Sequence, residues 1–565
     1  MISVTGKEWV QKKINKNSIE RLKQDHNFSE TLSKLIITRE FDQTEIHSIE
    51  YDLELKNVFT KNDDFKDSTD LLSVAIRNKE KICILGDYDV DGSTATSLFV
   101  RYLESIKHPF FSYIPDREID GYGASKKLFQ KLIIKRPKLI IMVDCGSTSN
   151  QAVDFLNENK IKSLIIDHHE INKPYPKANV IINPKKNNGY MEYDYLCATT
   201  LVYFFLDLLI KNLNNKINIR EYLIYVLLAT VCDVMPLRKL NRLISIIALK
   251  EFKIESNLAI KELYDLNNKK NKITVNDLGY LIGPILNAGG RLGNSSYATE
   301  LLSSDNPKII NDRSTKLITL NEKRKKIEKI ILDEINFSKI EKDNKDIIIY
   351  FNPNINEGLI GIIASRLKDY FNKPSIVITV SGDVLKGSAR SIYDYNIGRV
   401  IKNLLDSKII LNGGGHNMAA GFTLKKKNLS IFEDFILKNF LESDASNTHK
   451  FNYDSEISPI AFNKSFFNDI KKIQPFGTGN PVPIFLFKNL RIIKTNIIIK
   501  KHISLILKSK IGFSINSISF NSLNSKIGEC LLNYKKDLNV IGQINENFWN
   551  NKNTLQLTIR DLILD

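Results

Sequence analysis

A chain of 565 residues with 42% apolar and 26% charged side chains describes an ordinary globular protein of three or four domains. A formal net charge of +17 favours a polyanionic partner, although Lys, Asn and Ile recur throughout the chain and dilute that signal. Five widely spaced cysteines (Cys83, Cys145, Cys197, Cys232, Cys530) exclude a disulfide framework and a Cys-x-x-Cys zinc site. With no apolar run of bilayer length and no secretory leader after Met1, a cytoplasmic protein without membrane contact is expected.

Residues 1–80 read as helical segments and loops, a lead-in layer with an acidic patch at Asp63-Asp64. From Lys81 strands alternate with helices, the pattern of a doubly wound α/β domain. The first strand, within Lys81–Ala95, runs into Asp87, Asp89 and Asp91, then Gly92 and the small residues Ser93-Thr94. Period-two geometry puts the three carboxylates on one side, about 6.6 Å apart. At an effective dielectric near ~20 each neighbouring pair repels by about 2.5 kcal/mol. Such a cluster asks for a cation, and oxygen ligands select a hard one, Mg²⁺ or Mn²⁺. A solvated acidic turn is the plainer reading, but the strand before it is too apolar for the surface.

Two further strands repeat the design. Lys138–Gly146 ends in Asp144 and a glycine turn, and Lys162–Glu170 ends in Asp167, His168 and His169. Ligands of open α/β sheets bind at the carboxyl ends of the strands, so these converge on one edge. A fourth element, Tyr222–Asp233, is apolar all round and reads as a buried helix. Its terminal Asp233 needs a partner, which the metal cluster, Arg238 or Arg242 could supply.

In order and spacing, Asp87-Tyr-Asp-Val-Asp-Gly92, Val143-Asp-Cys-Gly146, Asp167-His-His169 and Asp233 resemble the four motifs of the DHH phosphoesterase superfamily. Ile114–Gly123 and Gly283–Leu292 are similar to segments of its branch of single-stranded-DNA-specific 5′→3′ exonucleases, and the likeness runs over roughly residues 50–565. A Lys/Glu-rich stretch at 306–340 reads as a solvated helix joining two lobes. A second α/β region begins at Asp346. It carries Glu357–Leu367, Lys386–Ser391 and Asn412–Gly421, which resemble the phosphate-binding loops of a DHH-associated domain. Glu357 departs from the His or Gln common in that family. Beyond Pro475–Pro481, short alternating runs suggest a small barrel. There Phe485, Phe487 and Trp549 are stacking candidates, better read as core.

The expected architecture is therefore α/β. Two doubly wound domains, DHH at 81–305 and DHH-associated at 341–449, are joined by a long helix at 306–340, with an OB-like barrel at 450–565. The resemblance implies a two-ion Mn²⁺ or Mg²⁺ centre that hydrolyses phosphodiesters of single-stranded DNA and releases 5′-mononucleotides in recombination and repair. Asp144, on the central strand, is expected to bridge the ions. Asp89, His168 and Asp233 would complete one shell, and Asp87 and Asp91 the other. His169 would face the scissile phosphate, with Asp167 orienting a ligand. Arg117, Arg291, Ser388, Arg390, Gly414, Gly415 and His416 would hold substrate phosphates. Implied partners are single-strand-binding protein and a RecQ-type helicase, with the chain a monomer. Rival readings are a DHH phosphodiesterase for short oligonucleotides or cyclic dinucleotides, which lacks use for a barrel, and a non-catalytic DNA-binding scaffold, which would have lost ligands.

Overall fold

The computed structural model describes residues 1–116, 119–121, 123–186, 190–343, 345–392, 395–443, 450–549 and 552–564, with Phe548, Trp549 and Lys552 described by backbone alone. The chain forms two compact units. One holds Lys56–Met235 and residues 248–448; the other holds Met1–Leu55, Pro236–Ile247 and residues 449–565.

In the first unit, five parallel strands lie in the order Phe110–Tyr113, Ile82–Leu85, Leu139–Val143, Lys162–Ile166, Val180–Ile182. The three central ones are buried on both faces, as their unbroken apolar runs require. Chain order reverses between Ile82–Leu85 and Leu139–Val143, the switch point where the carboxyl edge of such a sheet opens into a crevice. The helices Val90–Ser105, Ala198–Asn212 and Leu223–Cys232, all largely buried, form a layer against one another. Phe129, Leu156 and Ile165 belong to an apolar cluster with Cys83 and Ile140 of the sheet.

The helix Pro307–Glu334 leads into the second α/β domain of the same unit. The solvated helix expected here has one buried face: Ile310, Leu317 and Ile331 are covered, and buried Glu328 pairs with Arg324 at 2.8 Å and with Arg366 at 2.6 Å. The second sheet runs Asn412–His416, Ala419–Lys425, Val384–Arg390, Ser375–Ser381, Ile348–Phe351. Helices cover both faces, with Ile397–Asp406 and Leu429–Leu441 in one cluster and Ile360–Phe371 in the other. The sheet itself is mixed. Only Ile348–Phe351 and Ser375–Ser381 run parallel, because tight hairpins at Gly382 and at Asn417-Met418 replace crossover helices.

In the second unit, the strands Phe485–Ile498, His502–Ser509, Ser514–Ser519, Lys552–Leu564 and Leu538–Trp549 close on themselves through the pairing of the first with the last. With the helix Lys526–Asn533 between the third and fourth strands in sequence, this is an OB-type barrel. Phe485 and Phe487 are in its core, and the Trp549 side chain lies outside the described residues.

The expected lead-in layer at 1–80 divides between the units. Leu32, Leu35 and Ile36 join the barrel core, and the Trp9 indole donates to buried Asp561 at 2.9 Å. The helix Asp63–Arg77 instead packs with the first sheet, its Phe65 stacked on Phe59 at 4.2 Å. Pro236–Ile247 likewise leaves the first domain: Arg238 makes paired bonds to Glu45 at 2.7 and 2.8 Å, and Arg242 lies over Phe41. The Arg242 guanidinium donates to the Ser48 hydroxyl and the Lys472 carbonyl, so both arginines are spent within their own unit.

Candidate active site

At the switch point, the backbone leaves the Ile82–Leu85 strand and doubles back so tightly that a Cβ on Gly92 would lie 2.5 Å from the amide nitrogen and carbonyl oxygen of Asp87. Asp89 caps the helix Val90–Ser105, its carboxylate accepting the Gly92 amide at 3.0 Å. Asp91 is buried, and its two oxygens accept the amides of Ala198 and Thr199 at 2.7 and 2.8 Å. It thereby sits on the positive end of the helix Ala198–Asn212. Burial, and then Asp89, nonetheless push its pKa up to about 6.

Asp144 ends the central strand with φ at 59°, and 1% of it is exposed. Neither of its oxygens has a hydrogen-bond partner. Burial, followed by Asp91, Asp89, Asp87 and Asp233, holds its pKa well above the ordinary carboxylate range. The His168 Nε2 stands 3.3 Å from Asp144, 3.4 Å from Asp233 and 3.7 Å from Asp91. Both nitrogens of His168 and one oxygen of Asp233 are buried and unpaired. Burial and then the neighbouring His169 keep His168 neutral, the form that ligates.

Three sets of possible ligands each fit within 4.8 Å: Asp87, Asp89 and Asp144; Asp91, His168 and Asp233; Asp144, His168 and His169. All six expected ligands are thus brought together around Asp144. The grouping exchanges Asp89 and Asp91 relative to the expected shells, because the helix cap holds Asp89 beside Asp87 while Asp91 reaches inward to His168. The buried oxygens of Asp144 and Asp233 and the nitrogens of His168, which make no hydrogen bonds, together with the carboxylates around them are a donor set that hard divalent cations need, so the residues fit Mn²⁺ or Mg²⁺.

Asp167 lies one step back. It accepts the amides of His168, His169 and Ser147 at 2.8, 3.1 and 3.0 Å, and its Oδ1 is 2.8 Å from His169 Nδ1. Burial opposes charge on His169, but Asp167 outweighs it and lifts the pKa to about 10. The contact fixes the His169 ring through Nδ1 and favours its protonated form, leaving Nε2 as the nitrogen able to address substrate. Buried Asn183 supports the same corner, donating to the Ser147 hydroxyl and the His169 carbonyl at 2.8 and 2.9 Å. Lys185, two residues on, pairs with Glu170 at 3.1 Å, and its charge is felt at His168, Asp233 and His416. Sequence reasoning missed both; the Asn-Pro step after an edge strand was the available signal.

The second α/β domain reaches this corner through His416, whose ring centroid is 6.2 Å from that of His168. In the sheet register His416, Ala419 and Arg390 form one row, and Gly414, Gly421 and Ser388 another. Arg390 donates to the Ser388 hydroxyl at 3.1 Å. Gly361, in the first turn of the helix Ile360–Phe371, lets that turn approach the pair closely: a Cβ would lie 2.9 Å from Arg390 Nη2 and 3.1 Å from the Ser388 hydroxyl. Arginine, hydroxyl and helix N-terminus thus face one another, the elements of an anion pocket. Gly414 has open space around it, whereas a Cβ on Gly415 would strike the Ala419 carbonyl at 2.3 Å. Arg291 donates to the Gly358 carbonyl at 2.9 Å, which ties the two domains together. Glu357 turns away to Lys386 and the Ser381 hydroxyl. Arg117 lies outside the described residues.

A parallel sheet with an aspartate-histidine cluster at its switch point, a companion domain bearing an anion pocket and an OB barrel define a DHH-type protein. Residues 81–230 match the DHH family N-terminal domain, 344–441 the DHHA1 domain and 453–561 the RecJ OB domain. The chain belongs to the RecJ family. It is similar to the single-stranded-DNA-specific exonuclease RecJ of Haemophilus influenzae, at 30% identity over 87% of this chain and 90% of the relative. The RecJ of Bacillus subtilis is 27% identical over 98% of this chain and 70% of the relative. In fold it resembles the crystal structure of Thermus thermophilus RecJ in complex with Mn²⁺, with a TM-score of 0.82 at 21% identity, covering 99% of this chain and 80% of that one.

Proposed function

We propose that the chain is a single-stranded-DNA-specific 5′→3′ exonuclease that hydrolyses phosphodiesters and releases 5′-mononucleotides. The observation that carries this reading is Asp144, whose buried oxygens lack partners at the centre of the acidic cluster while His416 of the phosphate-pocket domain overlooks it. Asp87, Asp89, Asp91, Asp144, His168 and Asp233 would hold two Mn²⁺ or Mg²⁺ ions, with Asp144 shared. Bound there, the ions neutralise the carboxylates and supply an activated water.

The protein's own groups do the rest. Ser388, Arg390, the helix N-terminus beside Gly361 and the open face of Gly414 hold the terminal 5′ phosphate. That leaves the next phosphodiester beside His169 and His416. His169, fixed through Nδ1 by Asp167, presents Nε2 to the phosphoryl group and donates a proton to the departing 3′ oxygen. The bond from phosphorus to that oxygen breaks, and the shortened strand keeps a new 5′ phosphate. The net charge of +17 and the OB barrel support binding of the rest of the strand.

The family relationship supports a role in recombination and repair, as a cytoplasmic monomer working with single-strand-binding protein and a RecQ-type helicase. Purified chain incubated with end-labelled single strands should degrade them with Mn²⁺ or Mg²⁺ and leave them intact in EDTA. Persistent cleavage in EDTA would overturn the reading.

A further inference from the structure

The segment that closes the first domain begins with an unusual turn. Leu278–Ile282 is π-helical, with the Gly283 amide reaching back to the Leu278 carbonyl. Tyr280, in its middle, is 85% exposed, far beyond what a folding role asks of an aromatic ring. π-Turns carry an extra residue at a cost in hydrogen-bond geometry and recur at functional sites.

This one packs on the helix that leads into Asp233. A Cβ on Gly279 would lie 3.1 Å from Val231, and one on Gly283 would lie 2.4 Å from the Cys232 sulfur, so the turn packs on the last residues before Asp233. Further along, a Cβ on Gly290 would lie 2.8 Å from the carbonyl of Tyr88, between Asp87 and Asp89. Tyr280 is thus an exposed ring on a turn whose flanking glycines pack on the two residues before Asp233. Val234, next to Asp233, is 65% exposed and adds apolar surface beside the cluster.

Resting on the exonuclease reading, we propose that Tyr280 stacks on a nucleobase of the substrate strand next to the scissile phosphate. Every base has a π-face, so such a platform adds affinity without sequence preference and fixes where the strand lies. A single strand exposes that face, whereas paired bases are already stacked. The device thus favours unpaired DNA at the point of cutting. The occupant follows from proximity: the turn packs on the two residues before Asp233, and a phosphodiester held at the cluster carries a base on either side.

The test uses the full chain in EDTA and measures binding of 5′-phosphorylated oligothymidine, so that no metal-loaded activity is needed. Tyr280→Ala should weaken binding about tenfold, Tyr280→Phe should match wild type, and Tyr280→Leu should behave as Ala. Moving one abasic residue along the strand should reveal a single position where wild type falls to the Tyr280→Ala level. Tyr280→Ala should be indifferent to the abasic residue there. Unchanged affinity for Tyr280→Ala, or rescue by Leu equal to that by Phe, overturns stacking and leaves the exonuclease reading intact. Failure of wild type to bind single strands at all would instead overturn the exonuclease reading, and this inference with it.

Discussion

The imidazole of His416 stands 5.7 Å, centroid to centroid, from that of His169, with the ring planes 29° apart. One belongs to the phosphate-pocket domain and the other to the metal-cluster domain, so both converge on one corner of the first unit. Burial, and then Lys185 and His169, push the His416 pKa down to about 4. The surroundings of His416 thus favour the neutral ring, and those of His169 the protonated one. Such a pair can divide its work, with His416 accepting or donating a hydrogen bond to substrate while His169 moves the proton. His416→Ala should slow single-turnover cleavage on the order of a hundredfold through poorer positioning of the strand. Bound Mn²⁺ per chain, read by metal analysis, should stay at the wild-type value. A fall in bound metal would make His416 a ligand.

Asp144 is expected to separate catalysis from folding. Burial and four neighbouring carboxylates disfavour its charge, so without cations its ionised form destabilises the fold. Asp144→Asn should abolish cleavage yet unfold in EDTA no earlier than wild type. Adding Mn²⁺ should raise the wild-type unfolding temperature by several degrees and barely move the variant, because a ligand at ~100 times its dissociation constant contributes about 2.7 kcal/mol. Thermal scans with and without metal decide this.

Asp167 should act through His169. Since Asp167 lifts the His169 pKa, the protonated form persists to higher pH than in ordinary histidine and is lost as pH rises through that raised value. Asp167→Asn removes the support, so the alkaline fall of the pH–rate profile should move to lower pH while strand affinity at neutral pH holds. An unshifted profile would mean that a different group supplies the proton.

Arg390 and Glu357 should differ sharply. Arg390→Ala should erase the preference for a 5′-phosphorylated over a 5′-hydroxyl strand. It should also flatten the log–log salt dependence of affinity by about 0.7, since one phosphate is no longer neutralised. Glu357 spends its carboxylate on Lys386 and Ser381 inside its own domain. Its replacement by Gln should change activity by less than about twofold and cost at most about 1 kcal/mol. Oligonucleotide competition assays compare the two directly.

The metal cluster was legible because each ligand follows or ends an apolar strand or helix at one sheet edge. The period-two spacing expected for Asp87, Asp89 and Asp91 does not hold, because the strand ends at Leu85, Asp89 caps the helix Val90–Ser105 and Asp91 lies in its first turn. Which ligand joins which was not legible. Asp91 is held by amides of Ala198 and Thr199, more than a hundred residues away, and no local pattern announces that pairing. The fate of the first residues was hidden for the same reason, since Trp9 finds its acceptor in Asp561. Phe485 and Phe487 read correctly as core from their place in an apolar run. The mixed second sheet turns on two tight hairpins, at Gly382 and at Asn417-Met418, which the expectation of a doubly wound domain did not include. Tyr280 escaped notice because nothing in a sequence distinguishes an exposed ring from a buried one.

The exonuclease assignment stands or falls on the direction of degradation. Oligonucleotides labelled at the 3′ end, with either a 5′ phosphate or a 5′ hydroxyl, are followed in time beside the corresponding blunt duplex. The pocket at Ser388 and Arg390, lying beyond the Asp144 cluster, predicts stepwise shortening from the 5′ end, faster with the phosphate and absent on the duplex. Loss of the 3′ label at the earliest times, or equal consumption of the duplex, would contradict it.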